Sequence, residues 1–128
     1  MQLGDRLGGH LVSGHVDGLG MIERILKKPD GWDLTVRLPR DLARYVIPKG
    51  SICLDGISLT VNSITDDDQG TVLSLMLIPT TVTLTSFEYL LPAQPVNVEV
   101  DQIGKWVERF AQLPRSWRLG ARHARSFF

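Results

Sequence analysis

Residues Trp32 to Leu38, WDLTVRL, alternate apolar and polar without a slip. A period of two sends every second side chain to the same face, so the segment reads as a strand with one side buried. The period returns in ISLTVNSI (57–64), with Ile57, Leu59 and Val61 to one side and Ser58, Thr60 and Asn62 to the other. It returns again in VNVEV (96–100). TVLSLMLI (71–78) is nearly all apolar and predicts a more deeply buried strand, while GMIERIL (20–26) and SICLD (51–55) complete a set of about six. Short strands at such spacing, joined by small connectors, predict an all-β fold: a six-stranded, mostly antiparallel closed barrel whose closure removes unpaired edges.

The connectors carry their own signals. Pro29-Asp30-Gly31 is a turn, and TDDDQG (65–70) is a solvated hairpin connection. Its three carboxylates lack the ligand spacing and closing Glu of a calcium loop. In PRDLARYVI, Leu42, Tyr45 and Val46 fall on one helical stripe that Pro48 ends. A weaker helix is expected around TTVTLTSF, after Pro79. A clearer one follows Asp101, whose side chain can cap it, with Ile103, Val107 and Phe110 in register, Trp106 widening the stripe and Pro114 stopping it. These signals divide the chain into a leader (1–9), a barrel (10–101), a helix (102–113) and a basic tail (114–128) expected to be flexible.

Composition narrows the function classes. The 128 residues suit one domain, and 14 basic residues cancel 14 acidic ones, so no global field advertises nucleic acid or cations. The 9 aromatics (3 Trp, 2 Tyr, 4 Phe) rarely fall on outward strand positions, which argues against an oligonucleotide-binding barrel. The single cysteine, Cys53, sits among apolar neighbours and reads as a buried structural residue. No stretch approaches the roughly 18 apolar residues of a membrane span, and the N-terminus lacks the apolar region of a signal peptide, which leads us to expect a soluble, cytoplasmic domain.

The least strand-like stretch is GGHLVSGHVDG, with Gly8, Gly9, Gly14 and Gly18 around His10 and His15. On a strand the two histidines would face opposite ways, and no Cys or Glu completes a ligand set, so no metal is expected. Ser13, His15 and Asp17 would fall in a row on one face, but hydrolytic triads converge from separate segments. Glycine instead lets a flat ligand approach the backbone or lets a barrel strand bend sharply. DGISLT repeats the theme, with Gly56 before the hydroxyls of Ser58 and Thr60. Such a pocket suits a polar, uncharged ring bearing hydroxyls better than a phosphate, since no Walker or Rossmann pattern is present.

Four segments in order, GGHLVSGHVDG, YVIPKGSICLDGISLTVN, LIPTT and VNVEVDQIGKWVER, resemble the lumazine-binding barrel of the riboflavin synthase family over about Leu3 to Phe110. That family's subunit has two tandem barrels and a final helix, and this chain resembles the second barrel with the helix, which implies a C-terminal half. The resemblance implies a dismutation of two 6,7-dimethyl-8-ribityllumazine molecules to riboflavin and 5-amino-6-ribitylaminopyrimidinedione. It implies no metal or redox cofactor, and a homotrimer for the full-length protein, assembled through the final helix. Sites in the family lie between the first barrel of one subunit and the second barrel of its neighbour. Carried onto matching positions, the substrate-binding half comprises Gly14, His15, Val16, Lys49, Ser58, Leu59, Thr60, Met76, Leu77, Ile78, Pro79, Thr80, Thr81 and Asp101. His15 is implied for proton transfer, histidine being the side chain that changes charge near neutral pH, and Lys49 for stabilising negative charge. Thr80 stands where the family often has histidine or glutamate, and LPAQPVN replaces a glycine-containing turn. The alternative is a non-catalytic lumazine or flavin carrier.

Overall fold

The Pro29-Asp30 turn joins strands β1 (Gly18–Lys28) and β2 (Gly31–Leu38) into an antiparallel hairpin in which Lys28 opposes Gly31. Gly31 takes φ +144°, and a Cβ there would stand 2.5 Å from the Leu77 carbonyl oxygen, so the strand can begin there only without a side chain. The computed structural model describes residues 10–118. The remaining strands are β3 (Ser51–Leu54), β4 (Ile57–Asp67), β5 (Gly70–Leu77) and β6 (Pro95–Val100). They close in the order β1-β2-β5-β4-β3-β6, every neighbour antiparallel. This is the barrel the alternation predicts.

Each alternating run places its apolar members inside. Leu34, Val36 and Leu38 of β2, Leu73, Leu75 and Leu77 of β5, and Val61 and Val98 are fully buried. The pattern slips where the register shifts, between Ile22 and Arg24 on β1 and between Val61 and Ser63 on β4. One extra residue on the strand turns the following side chains to the other face, and Ile64 takes the interior side that unbroken alternation would have given to Ser63.

The connectors differ from expectation in extent. Helix α1 covers only Arg40–Ala43, although Leu42 and Val46 are buried as the stripe requires. The chain tightens at its end, with Tyr45 N–H to Leu42 O and Val46 N–H to Ala43 O, and the residue before Pro48 is disfavoured in helix. The weak threonine-rich helix is α2 (Pro79–Leu84), followed by a 3-10 turn (Ser86–Tyr89) that carries Phe87 fully into the core. Between them the Thr85 hydroxyl donates to Thr81 O and accepts from Phe87 N–H. Helix α3 (Gln102–Gln112) begins at Asp101, which accepts from Ile103 N–H at 3.0 Å. A short helix α4 (Arg115–Arg118) occupies the start of the expected tail, whose remainder lies outside the described residues, as do His123 and the leader. No helix among the described residues is long and apolar enough to cross a membrane.

Candidate functional site

The barrel register decides which candidate side chains meet. Ile52 opposes Leu59 on β4 and Val100 on β6, and Val61 opposes Leu75 on β5. All these point inward. Their immediate neighbours therefore form an outward row, Asp101, Ser51, Thr60 and Met76, in which Ser51 pairs with Thr60. A second outward row, one step along the strands, holds Glu99, Cys53 and Ser58. Among the candidates, Thr60 and Met76 are exposed and Ser58 and Asp101 half-buried. Leu59 and Leu77 point into the barrel, so only their main chains can face a ligand.

Lys49 lies two residues before Ser51 of the first row. It holds φ +64°, a left-handed conformation that costs a non-glycine residue about 1 kcal/mol. Hydrogen bonds on both sides impose it: Lys49 N–H donates to Val61 O at 2.7 Å, and Gly50 N–H to Ile47 O at 3.0 Å. The backbone of this exposed lysine is thereby fixed beside Val61. At the end of β5, Ile78 is 56% exposed and precedes Pro79, Thr80 and Thr81, the first residues of α2.

The glycine segment is not a strand, contrary to the premise on which its two histidines were assigned to opposite faces. β1 begins only at Gly18, and Gly14 turns the chain at φ +80° with no atom within 4 Å of where a Cβ would stand. Two carboxylates fasten this segment to β6. Asp17 accepts from Val100 N–H at 2.9 Å and pairs with Lys105 at 2.6 Å. Glu99 accepts from Ser13 N–H (2.6 Å), the Ser13 hydroxyl (2.8 Å) and Gly14 N–H (3.0 Å). The Ser13-His15-Asp17 row therefore does not form: His15 Nδ1 lies 3.0 Å from Ser13 Oγ, while Asp17 is engaged elsewhere. His10 Nδ1 meets Ser58 Oγ at 2.9 Å, so the Ser58 hydroxyl is already in a network. Val16 follows, 55% exposed. His15 and Lys49 share no hydrogen bond among the described residues.

Glu99 is the residue the sequence did not betray. It alternates as an outward position in VNVEV, yet it is 4% exposed because the glycine segment lies over it. Burial opposes its ionisation, but the hydrogen bonds from Ser13 and Gly14, with His10 nearby, outweigh that cost and hold its carboxyl below the usual glutamate range. Cys53, in the same row, is buried, and burial followed by the Glu99 charge pushes its thiol up, as befits a packing residue.

Beside the first row opens a cavity of about 500 Å³, bounded by Tyr45, Ile47 and Ser51 on one side and by Asp101, Gly104 and Val107 on the other. Its size falls within the range of small-molecule sites. Helix α3 forms its far wall and is docked there by polar contacts: the Tyr45 hydroxyl donates to Glu108, and Arg44 pairs with Glu108 at 2.8 Å. Its apolar stripe is not used for this. Ile103, Trp106, Val107 and Phe110 are 58–69% exposed, so the helix does not plug the barrel. Among the described residues no three His, Cys, Asp or Glu side chains converge to hold a metal.

The lumazine binding domain profile matches residues 13–101. The riboflavin synthase of Mycobacterium tuberculosis is 45% identical over 109 residues, 84% of this chain and 53% of the relative. That of Bacillus subtilis is 39% identical over 110 residues, 86% of this chain and 49% of the relative. The chain thus spans about half the length of the curated relatives it matches. Crystal structures of LumP share the fold: the complex with 6,7-dimethyl-8-(1'-D-ribityl) lumazine has a TM-score of 0.66 at 21% identity, covering 75% of this chain and 52% of that one. The riboflavin complex has a TM-score of 0.67 at 22% identity, covering 76% and 50%. With a profile that begins at Ser13, the residue clamped by Glu99, and ends at Asp101, the helix cap, this chain belongs to the lumazine-binding domain family.

Proposed function

We propose that the outer face of β3, β4 and β6 binds one 6,7-dimethyl-8-ribityllumazine and supplies half of a riboflavin synthase site. The observation that carries this reading is the placement of the Ser58 and Thr60 hydroxyls and Asp101 on two adjacent outward rows, with Gly14 held over the second row by Glu99 and Asp101 lining a cavity beside the first. Main-chain groups near Gly14, Thr60 and Ile78 pair with the pyrimidine edge, and the Ile78 side chain packs on the ring. Ser58, Thr60 and Asp101 serve the ribityl hydroxyls. Val16, Met76, Pro79, Thr80 and Thr81 line the approach, and Leu59 and Leu77 contribute main chain.

The reaction passes a four-carbon unit from one lumazine to the other, giving riboflavin and 5-amino-6-ribitylaminopyrimidinedione with no net redox change. Its chief demand is to hold two rings face to face, and such positioning supplies up to roughly 7–11 kcal/mol of barrier lowering. His15 moves the proton lost from a ring methyl, and Lys49 offsets negative charge on the ring. The second ring needs a first barrel from a neighbouring subunit, in a homotrimer assembled through the bare stripe of α3.

A second reading, a carrier that holds lumazine or flavin without reacting it, is favoured by the fold shared with the LumP complexes. One titration series tests both. Adding ribityllumazine should perturb the amides of Gly14 to Val16 and Ser58 to Thr60; no perturbation refutes the site. Riboflavin fluorescence should stay near zero for this chain alone and rise when a first-barrel protein is added. Binding without that rise selects the carrier.

A further inference from the structure

Glu99, Ser13 and His15 form a chain of contacts whose protons can be assigned by counting. Glu99 uses both carboxylate oxygens to accept backbone N–H groups, Oε1 from Ser13 and Oε2 from Gly14, which is the behaviour of an ionised carboxylate. Oε1 also accepts the Ser13 hydroxyl at 2.8 Å. A hydroxyl has one proton to give and two lone pairs to offer. A hydrogen bond to an ionised acceptor is about twice as strong as a neutral one, so the Ser13 proton stays with Glu99 rather than turning to His15. The Ser13 oxygen then faces its two remaining neighbours as an acceptor. One is the Gln102 side-chain amide, whose Nε2 donates at 3.1 Å, and the other is His15 Nδ1 at 3.0 Å. The opposite imidazole tautomer would set two lone pairs against each other at that distance.

We propose that Glu99 and Ser13 are positioning residues that lock the neutral His15 ring in its Nδ1–H tautomer, so that Nε2 presents a lone pair to the outer face as the base. This deepens the function proposed above and rests on His15 taking the proton there. The chemistry it selects is removal of a weakly acidic C–H or O–H proton from a bound ligand, since an Nε2–H ring would offer a donor instead. The fixing carboxylate is 4% exposed and lies 86 positions from Ser13, so the arrangement is set by the barrel and not by the local chain.

The test needs no ligand. The 128-residue chain, labelled with ¹⁵N, is read by long-range ¹H–¹⁵N correlation of the imidazoles at about pH 8, above the usual histidine range. His15 is assigned by the signals lost in His15→Phe. Wild type should show a pyrrole-type Nδ1 and a pyridine-type Nε2. In Ser13→Ala the Nδ1–H to Nε2–H ratio should fall about five-fold, the weight of one net hydrogen bond. Glu99→Gln should lower the ratio too, and Glu99→Asp should restore part of it. A wild-type ring already in the Nε2–H form, or a ratio unchanged in Ser13→Ala, overturns the proposal. The wild-type spectrum decides even if a variant fails to fold. Because lumazine is absent, a chain that binds no lumazine but shows the Nδ1–H ring would refute the assigned function and leave the tautomer assignment standing, so the two failures are distinguishable.

Discussion

The β1–β2 hairpin and the segment over residues 10–17 adjoin in sequence and are held by opposite means. The hairpin closes on itself: Met21 to Lys28 meet Arg37 to Gly31 through main-chain pairing, and alternate side chains of β2 fill the barrel. The glycine segment has no ladder of its own. It rests on Glu99 through partners 85 and 86 positions away, and on the Asp17 link to Val100, 83 positions away. Regular structure is thus carried by repetition, whereas the glycine segment is carried by single contacts: the Glu99 and Asp17 carboxylates, one main-chain bond from Asp17 N–H to Val98 O and the His10–Ser58 contact.

Substitutions can break that contrast. The largest effect belongs to the hairpin interior. Leu34→Ala leaves a cavity at a fully buried position and should cost about 2–5 kcal/mol, lowering the denaturant midpoint of the whole barrel in one transition. Next is Gly31→Ala, where a left-handed backbone and the Leu77 carbonyl collide with the new Cβ; about 3 kcal/mol is expected by the same measurement. Gly14→Ala has the left-handed backbone without the collision, so it should cost about 1 kcal/mol and register chiefly as faster amide exchange at Ser13 and Gly14.

Acid should separate the two regions without mutation. The Glu99 carboxyl titrates lower in the folded chain than in the unfolded one, where glutamate titrates at about 4.3, so its contribution is complete above that value and is lost as pH falls through the folded one. Exchange at Ser13 and Gly14 should therefore accelerate in that window while Leu34 and Val36 stay protected; simultaneous loss would erase the contrast. The smallest change is expected on the bare stripe of α3. Trp106→Ser should alter the stability of the monomer by no more than about 0.5 kcal/mol, while sedimentation reports whether it alters assembly.

The same contrast explains what could be read from the sequence. Strands β2, β4 and β6 are legible because a period of two states both the element and its buried face, and β5 because its run is nearly all apolar. The Asp101 cap was legible because its partner, Ile103 N–H, is two residues away. The bulges on β1 and β4 were not, since an inserted residue shows only against the partner strand. Helix α1 is shorter than its apolar stripe because a stripe can be buried by a tight turn as well as by a helix. Ser58, Thr60, Met76 and Asp101 fall on neighbouring outward rows, a placement set by the register between strands and by no single segment. Glu99 escaped notice because an outward acid in a strand has the same sequence signature whether water or a distant loop covers it.

One consequence follows from which side of the wall these groups occupy. Along β3 and β4 the residues that pack the lumen and those of the proposed binding face take alternate turns in the chain, as Ile52, Leu59 and Val61 do against Ser51, Ser58 and Thr60. Selectivity for the guest can therefore be rewritten at every other letter while the intervening letters keep the vessel intact.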